Sequence, residues 1–181
     1  MPSFTRPARA LLAPVLVLLA LAACRAPKPT EFAPSCPRVV ILADAADISR
    51  YRDGGGQDLT DLVLDGRIAG FKGGCEREDV NNVRTNVTVD LQLLRGPAAT
   101  GRNAQVSYFI AVRDGDRILD KQSYALGVTF PSNQDQIRVS APEVSMIVPV
   151  NKEKSAAAYD VLIGFQLSFD ELSLNRRRGP R

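Results

Sequence analysis

The most reactive side chains of this chain belong to three cysteines, Cys24, Cys36 and Cys75, and the sequence has no histidine. A thiol acts as a nucleophile once ionised, or pairs with a second thiol as a disulfide. The settings of the three differ. Cys24 closes the run Leu21-Ala22-Ala23-Cys24, where two small side chains leave the Ala23–Cys24 peptide bond open to a peptidase. Cys36 and Cys75 lie beyond it as an even pair. The lack of histidine removes the commonest general base and the commonest transition-metal ligand. Ser/His/Asp and Cys/His nucleophile sets are therefore excluded.

What precedes Cys24 is built in zones. Residues 1–9 carry Arg6 and Arg9 and no acid, and residues 10–20 are an apolar run. That run is too short to span a hydrocarbon core of roughly 30 Å as a stable helix. The arrangement resembles the lipobox of bacterial lipoproteins, with Leu21, Ala22, Ala23 and Cys24 at its four positions. The resemblance implies a signal peptide over residues 1–23, thioether lipidation of Cys24, cleavage between Ala23 and Cys24, and acylation (palmitate class) of the new amine. The plainer alternatives are an ordinary secretory signal and a short membrane-anchor helix. Each buried methylene adds about 0.8 kcal/mol, so two or three acyl chains on one residue hold a protein in a membrane essentially permanently. In enterobacterial lipoproteins an aspartate after the cysteine retains the protein in the inner membrane. Arg25 in that place favours the outer membrane.

Loss of residues 1–23 removes two arginines and no acid from a chain of formal charge +3, leaving it close to neutral. Nothing in that balance calls for nucleic acid. The remaining length is enough for one domain with a real core. In an oxidising envelope compartment Cys36 and Cys75 read as a disulfide, against two buried free thiols as the alternative. Closing a loop of about 40 residues is worth roughly 4 kcal/mol on chain-entropy grounds.

Residues 24–37 contain four prolines and almost no apolar periodicity, so they read as a lipidated, Pro-rich tether. The globular domain then spans 38–175. Residues 38–43 form a short, doubly apolar run expected as a buried strand. Residues 44–60 turn polar, with Gly54-Gly55-Gly56 opposing regular structure, and 61–71 give a second strand expected to break near Gly73-Gly74. Period two is clearest in Val87, Val89, Leu91 and Leu93, and again in Val106, Tyr108, Ile110 and Val112 before an Asp114-Gly115 turn into 116–130. Residues 137–150 give a strand bent at Pro142, and 159–167 give the last, with Val161, Ile163, Phe165 and Leu167 on one face. Ser168 and Glu171 stand at capping-box spacing before a short helix. Some seven strands and one helix predict an all-β fold, an antiparallel β-sandwich of the immunoglobulin-like class with one short C-terminal helix. Residues 176–181 follow as a basic tail.

The order of these pieces resembles a group of uncharacterised alphaproteobacterial envelope lipoproteins. The residues that carry the resemblance are Cys36-Pro37, Arg95-Gly96-Pro97, Tyr108-Phe109-Ile110-Ala111-Val112 with Asp114, and Gly164-Phe165-Gln166-Leu167 through Asn175-Arg176. It covers most of the mature chain and implies an envelope location and a β-rich domain, not an activity.

Among polar segments, Asp44, Asp47, Asp53, Asp58, Asp61 and Asp65 surround three glycines. Asp53, Asp58 and Asp61 are the calcium candidates, but their spacing is not that of an EF-hand, and a solvated loop is the favoured reading. Arg176-Arg177-Arg178 with Arg181 would attract anionic headgroups at about 1 kcal/mol per charge, or serve only as a solubilising tail. No cofactor and no catalytic set is expected. The functional expectation is a non-enzymatic, lipid-anchored protein of the bacterial cell envelope, with the membrane as one partner and a protein as the other. It would bind or scaffold in the assembly or stability of envelope complexes. The alternatives are a module that binds a lipid, a glycan fragment or calcium, and, further off, a hydrolase.

Overall fold

The computed structural model describes residues 34–179. Ala23, Cys24, most of the expected tether and Arg181 lie outside them. Among the described residues nine strands build two facing sheets, followed by one helix: β1 (Arg38–Ile41), β2 (Asp47–Tyr51), β3 (Leu62–Arg77), β4 (Asn82–Arg95), β5 (Asn103–Asp114), β6 (Arg117–Thr129), β7 (Gln136–Ser140), β8 (Val144–Pro149), β9 (Tyr159–Phe165) and α1 (Phe169–Arg178). One sheet runs β1-β9-β5-β6 and the other β2-β3-β4-β7, with β8 also on β4. The fold is the expected sandwich. Its one parallel pair is β1 on β9, the first strand against the last.

The strongest alternations form the core. On β4, Val87, Val89, Leu91 and Leu93 are all but fully buried. They meet Val106, Tyr108 and Ile110 of β5 and Val161, Ile163 and Phe165 of β9. Side chains of a strand point alternately to opposite faces, so the outward set on β4 is polar. The β5–β6 hairpin turns through Gly115, whose φ of 56° is a left-handed value that glycine adopts without a Cβ clash.

Several sequence expectations change here. The segment 44–60 is not wholly irregular, because Asp47–Tyr51 forms β2. Only Ile48 of this strand enters the core, while Asp47 and Ser49 are buried against Arg67 and Asp65 instead. Strand β3 does not break at Gly73-Gly74 but pairs with β4 up to Arg77. A Cβ on Gly73 would come within 2.5 Å of the Asn86 carbonyl oxygen, so the missing side chain lets the two backbones approach. The bend at Pro142 divides the 137–150 run into β7 and β8, both paired to β4. Strand β1 is an edge strand rather than a fully buried one, with its residues exposed to half-buried.

Behind β9 lies a second, smaller apolar layer. Leu162 packs with Ala45, Phe109 and Ala111 beneath the 3₁₀ turn Ala43–Ala45. Helix α1 is closed by the expected capping box: Ser168 Oγ accepts from the Glu171 N–H, and Glu171 Oε2 accepts from the Ser168 N–H. Arg176–Arg178 make the helix's last turn rather than a tail after it. Cations favour the negative end of a helix, and Arg176 finds Asp44 at 3.0 Å while Arg178 reaches the Tyr51 hydroxyl at 2.6 Å.

Two ties hold the β1 flank. The Cys36–Cys75 disulfide joins the segment before β1 to β3, and therefore one sheet to the other. Asp160 of β9 receives Arg38 from β1 at 2.7 Å and Arg113 from β5, each opposite it in register. These two guanidinium hydrogen bonds hold the Asp160 carboxyl down at about 2. Two outcomes follow. Cys36→Ser or Cys75→Ser should lower stability by about 4 kcal/mol, the loop-closure value for this separation, in urea unfolding. The unfolded Asp160 carboxyl titrates near 3.8 and the native one near 2, so its contribution is full above pH 4 and disappears as pH falls towards 2. Urea midpoints between pH 5 and 2 should show a shallower acid limb in Asp160→Asn than in the parent.

Candidate functional site

The two flanks of the sandwich are finished differently. On the β1/β2 flank the free edge of β2 is met by α1, where the Asn175 side-chain amide donates to the Asp47 carbonyl at 2.7 Å and to the Asp44 carbonyl at 2.9 Å. Arg50 of β2 reaches Glu171 of the helix at 3.1 Å. On the other flank, among the described residues, β6 pairs only with β5, and β7 and β8 pair only with β4. The chain crossing from β6 to β7 closes part of that flank by burying Phe130. Beyond β8 the chain crosses to β9 and packs Ala156 and Tyr159 against Val148, closing that end. Between these two crossings a cleft of about 560 Å³ opens between the edges of β6 and β8.

Its floor is apolar, made by Ile110 and Val112 of β5 and by Val144 and Met146 of β8. Its β6 wall is polar. Asp120, Gln122 and Tyr124 stand opposite Val112, Ile110 and Tyr108 in register, so they occupy the inward face of β6. They form a chain of hydrogen bonds in which the Tyr124 hydroxyl donates to Gln122 Oε1 at 3.0 Å and the Gln122 amide donates to Asp120 Oδ2 at 3.1 Å. Among the described residues no cation is paired with Asp120 within salt-bridge distance. Tyr124 also stacks on buried Tyr108, with ring centroids 5.4 Å apart. Burial, and then the Asp120 charge, push the Tyr124 phenol above its ordinary value.

Local irregularity shapes the wall. The β5–β6 register shifts between Val112 and Arg113, leaving Leu119 as an extra residue on β6. Strict alternation would turn Leu119 away from the core face, yet it lines the cleft. A bulge of this kind re-aims a side chain and increases local twist. Ile147, about half exposed, lines the opening. On the opposite rim, Arg84 is committed to Glu78 through two 2.6 Å hydrogen bonds.

The residues singled out in the sequence lie elsewhere. Cys24 and Ala23 are outside the described residues, and Cys36 and Cys75 form the disulfide on the far flank. Asp53 and Asp58 are exposed, whereas Asp61 is buried and organises its own loop. Its Oδ2 accepts from the Gly56 N–H at 2.6 Å and its Oδ1 lies 2.5 Å from Arg52 Nε. Among the described residues no group of three His, Cys, Asp or Glu side chains is placed to hold a metal ion. The calcium candidates Asp53, Asp58 and Asp61 therefore do not make such a group. The other buried carboxylate, Asp47, faces Arg67 at 2.9 Å. The β6 wall escaped the sequence reading because a polar alternation on an edge strand looks like an ordinary solvated face. The usable signal was Asp120, Gln122 and Tyr124 falling opposite three core residues of the preceding strand.

No protein family matches the chain, and no curated protein is similar to it in sequence.

Replacing Asp120 by asparagine should lower the Tyr124 pKa without restoring its ordinary value, because burial is the larger cause and remains. A ¹³C-tyrosine NMR titration reads this directly. An unmoved Tyr124 would show that the carboxylate does not act on the phenol.

Proposed function

We propose that this chain is a lipid-anchored protein of a bacterial cell envelope that works by binding or scaffolding, in the assembly or stability of envelope complexes, and that the β6–β8 cleft is its contact site. The observation that carries the reading is the asymmetry of the flanks. One edge of the sandwich is met by the protein's own helix, and the other, among the described residues, presents two unpaired strand edges beside an apolar floor. Natural sheets cover, charge or shorten such edges to avoid adventitious pairing. An edge of β6's length left beside an apolar cleft suits a partner that adds its own backbone.

The lipid anchor rests on Leu21-Ala22-Ala23-Cys24. The outer membrane is the favoured location, on Arg25. Anchorage and contact support each other physically. A protein held at a membrane meets membrane-bound partners at a raised effective concentration, so modest contacts suffice.

The test has two arms in cells of the source bacterium. Cys24→Ser should abolish incorporation of a labelled fatty acid and release the protein from the membrane fraction; unchanged incorporation would overturn the anchor. A photo-crosslinking residue at Gln122, in the cleft, should give one saturable adduct. The same residue at exposed Arg138, on the outer face of the β4–β7 pair, should not. Equal crosslinking from both positions would remove the cleft from the proposal.

A further inference from the structure

If the cleft receives a partner, its own chemistry restricts what that partner is. We infer that the occupant is an extended peptide segment of about six residues, with a lysine or arginine set against Asp120 and apolar side chains on the same face. This rests on the contact-site reading above and adds the chemical class of the partner.

Three observations converge. The first is the backbone. Among the described residues, strands β6 and β8 each have one hydrogen-bonded neighbour, so each border of the cleft is a sheet edge whose outer peptide N–H and C=O groups have no strand partner. A peptide strand satisfies such groups, whereas an acyl chain would cover them without replacing their bonds to water, at a cost of roughly 1–3 kcal/mol each.

The second is length. The cleft is bordered by residues 119–124 of β6 and by Val144–Pro149 of β8. At about 3.3 Å per residue each border is near 20 Å long, the span of six extended residues. The apolar floor of Ile110, Val112, Val144 and Met146 lies where alternate side chains of such a strand would point.

The third is charge. Asp120 lies at the end of the Tyr124–Gln122 hydrogen-bond chain and, among the described residues, has no cation paired with it. An ionised carboxylate only accepts, so it is completed by a donor, and a cationic donor makes the stronger bond. Arg84 does not neutralise it, being bound to Glu78. Burial of Asp120 under an acidic or purely apolar occupant would strand its charge. A second copy of this chain is the weaker fit, since a β6–β6 pairing symmetric about residue 120 would oppose Asp120 to Asp120.

The experiment uses the full-length mature chain with Cys24→Ser, kept soluble by loss of the acceptor thiol, and two capped heptapeptides of alternating valine and threonine. The peptides differ only in a central lysine or glutamate. In ¹⁵N-detected titrations the lysine peptide should shift the amides of residues 119–124 and 144–148 and saturate. The glutamate peptide should bind at least fivefold more weakly. Asp120→Lys should reverse that preference, and because Asp120 is exposed the substitution should leave the melting temperature nearly unchanged.

Equal affinity for the two peptides at this site would overturn the charge assignment while leaving the strand site standing. Shifts confined to other surfaces, or no binding by either peptide, would overturn the inference as a whole. The Gln122 crosslink in cells would then decide the contact-site reading separately. Concentration-dependent dimerisation through β6 would replace the partner peptide with a second copy.

Discussion

Strand β4 is the constraint on which this sandwich depends. One of its edges pairs with β3 from Val83 to Arg95, and the other serves β7 and then β8. Three strands therefore take their register from the same backbone. The inward side chains of β4 are fixed by burial. A slip by one residue would expose Val87, Val89, Leu91 and Leu93 and bring Asn86, Thr88, Asp90 and Gln92 inside. The cost of that exchange specifies the pairing of the whole sheet. Division of the last partner at Pro142 is tolerated because β4 itself stays continuous.

The facing sheet is organised by charge as well as by burial. Asp160 sits between two arginines on neighbouring strands, so the parallel pair formed by β1, only four residues long, has a polar anchor at its start. At the other end of β9, Gly164 lets Ala45 and Phe109 approach to where a Cβ would collide at 2.8–2.9 Å. Close approach there seats the Ala43–Ala45 turn, and that turn with β2 receives α1. Coverage of one flank thus depends on a missing side chain near the end of β9. Among the described residues the opposite flank is covered only by the chain crossings before β7 and after β8, and the inward face of β6 becomes polar where the floor is left open.

Much of this was legible in the sequence wherever the cause was local or periodic. The alternations of β4, β5 and β9 are apolar every second residue because each strand has one face in the core. The helix start was legible because Ser168 and Glu171 satisfy each other across three residues. The cysteine pair was legible by count, once Cys24 is set apart as the end of the Leu21-Ala22-Ala23-Cys24 run. Strand β2 was hidden: it contributes Ile48 alone to the core, and its buried Asp47 and Ser49 depend on Arg67, Asp65 and Arg178, far away in sequence. The continuity of β3 was hidden too, since glycines that favour turns in isolation here permit close strand approach. The cleft was the least legible feature. Openness is a property of which strands end up at the edges, and topology is not written in any one segment.

The position of the disulfide gives the domain a mechanical character. Any tension arriving through the segment before Pro34 reaches Cys36 two residues later and divides there. One path runs along the backbone into the four hydrogen-bonded residues of β1. The other runs through the sulfur bridge into β3, which is zipped to β4 over most of its length. A short terminal strand would otherwise peel away under load and uncover β9. With the bridge closed, β1 bears only part of the force and the rest passes to the β3–β4 pair. The core can then stay intact while whatever lies on the N-terminal side is pulled or displaced.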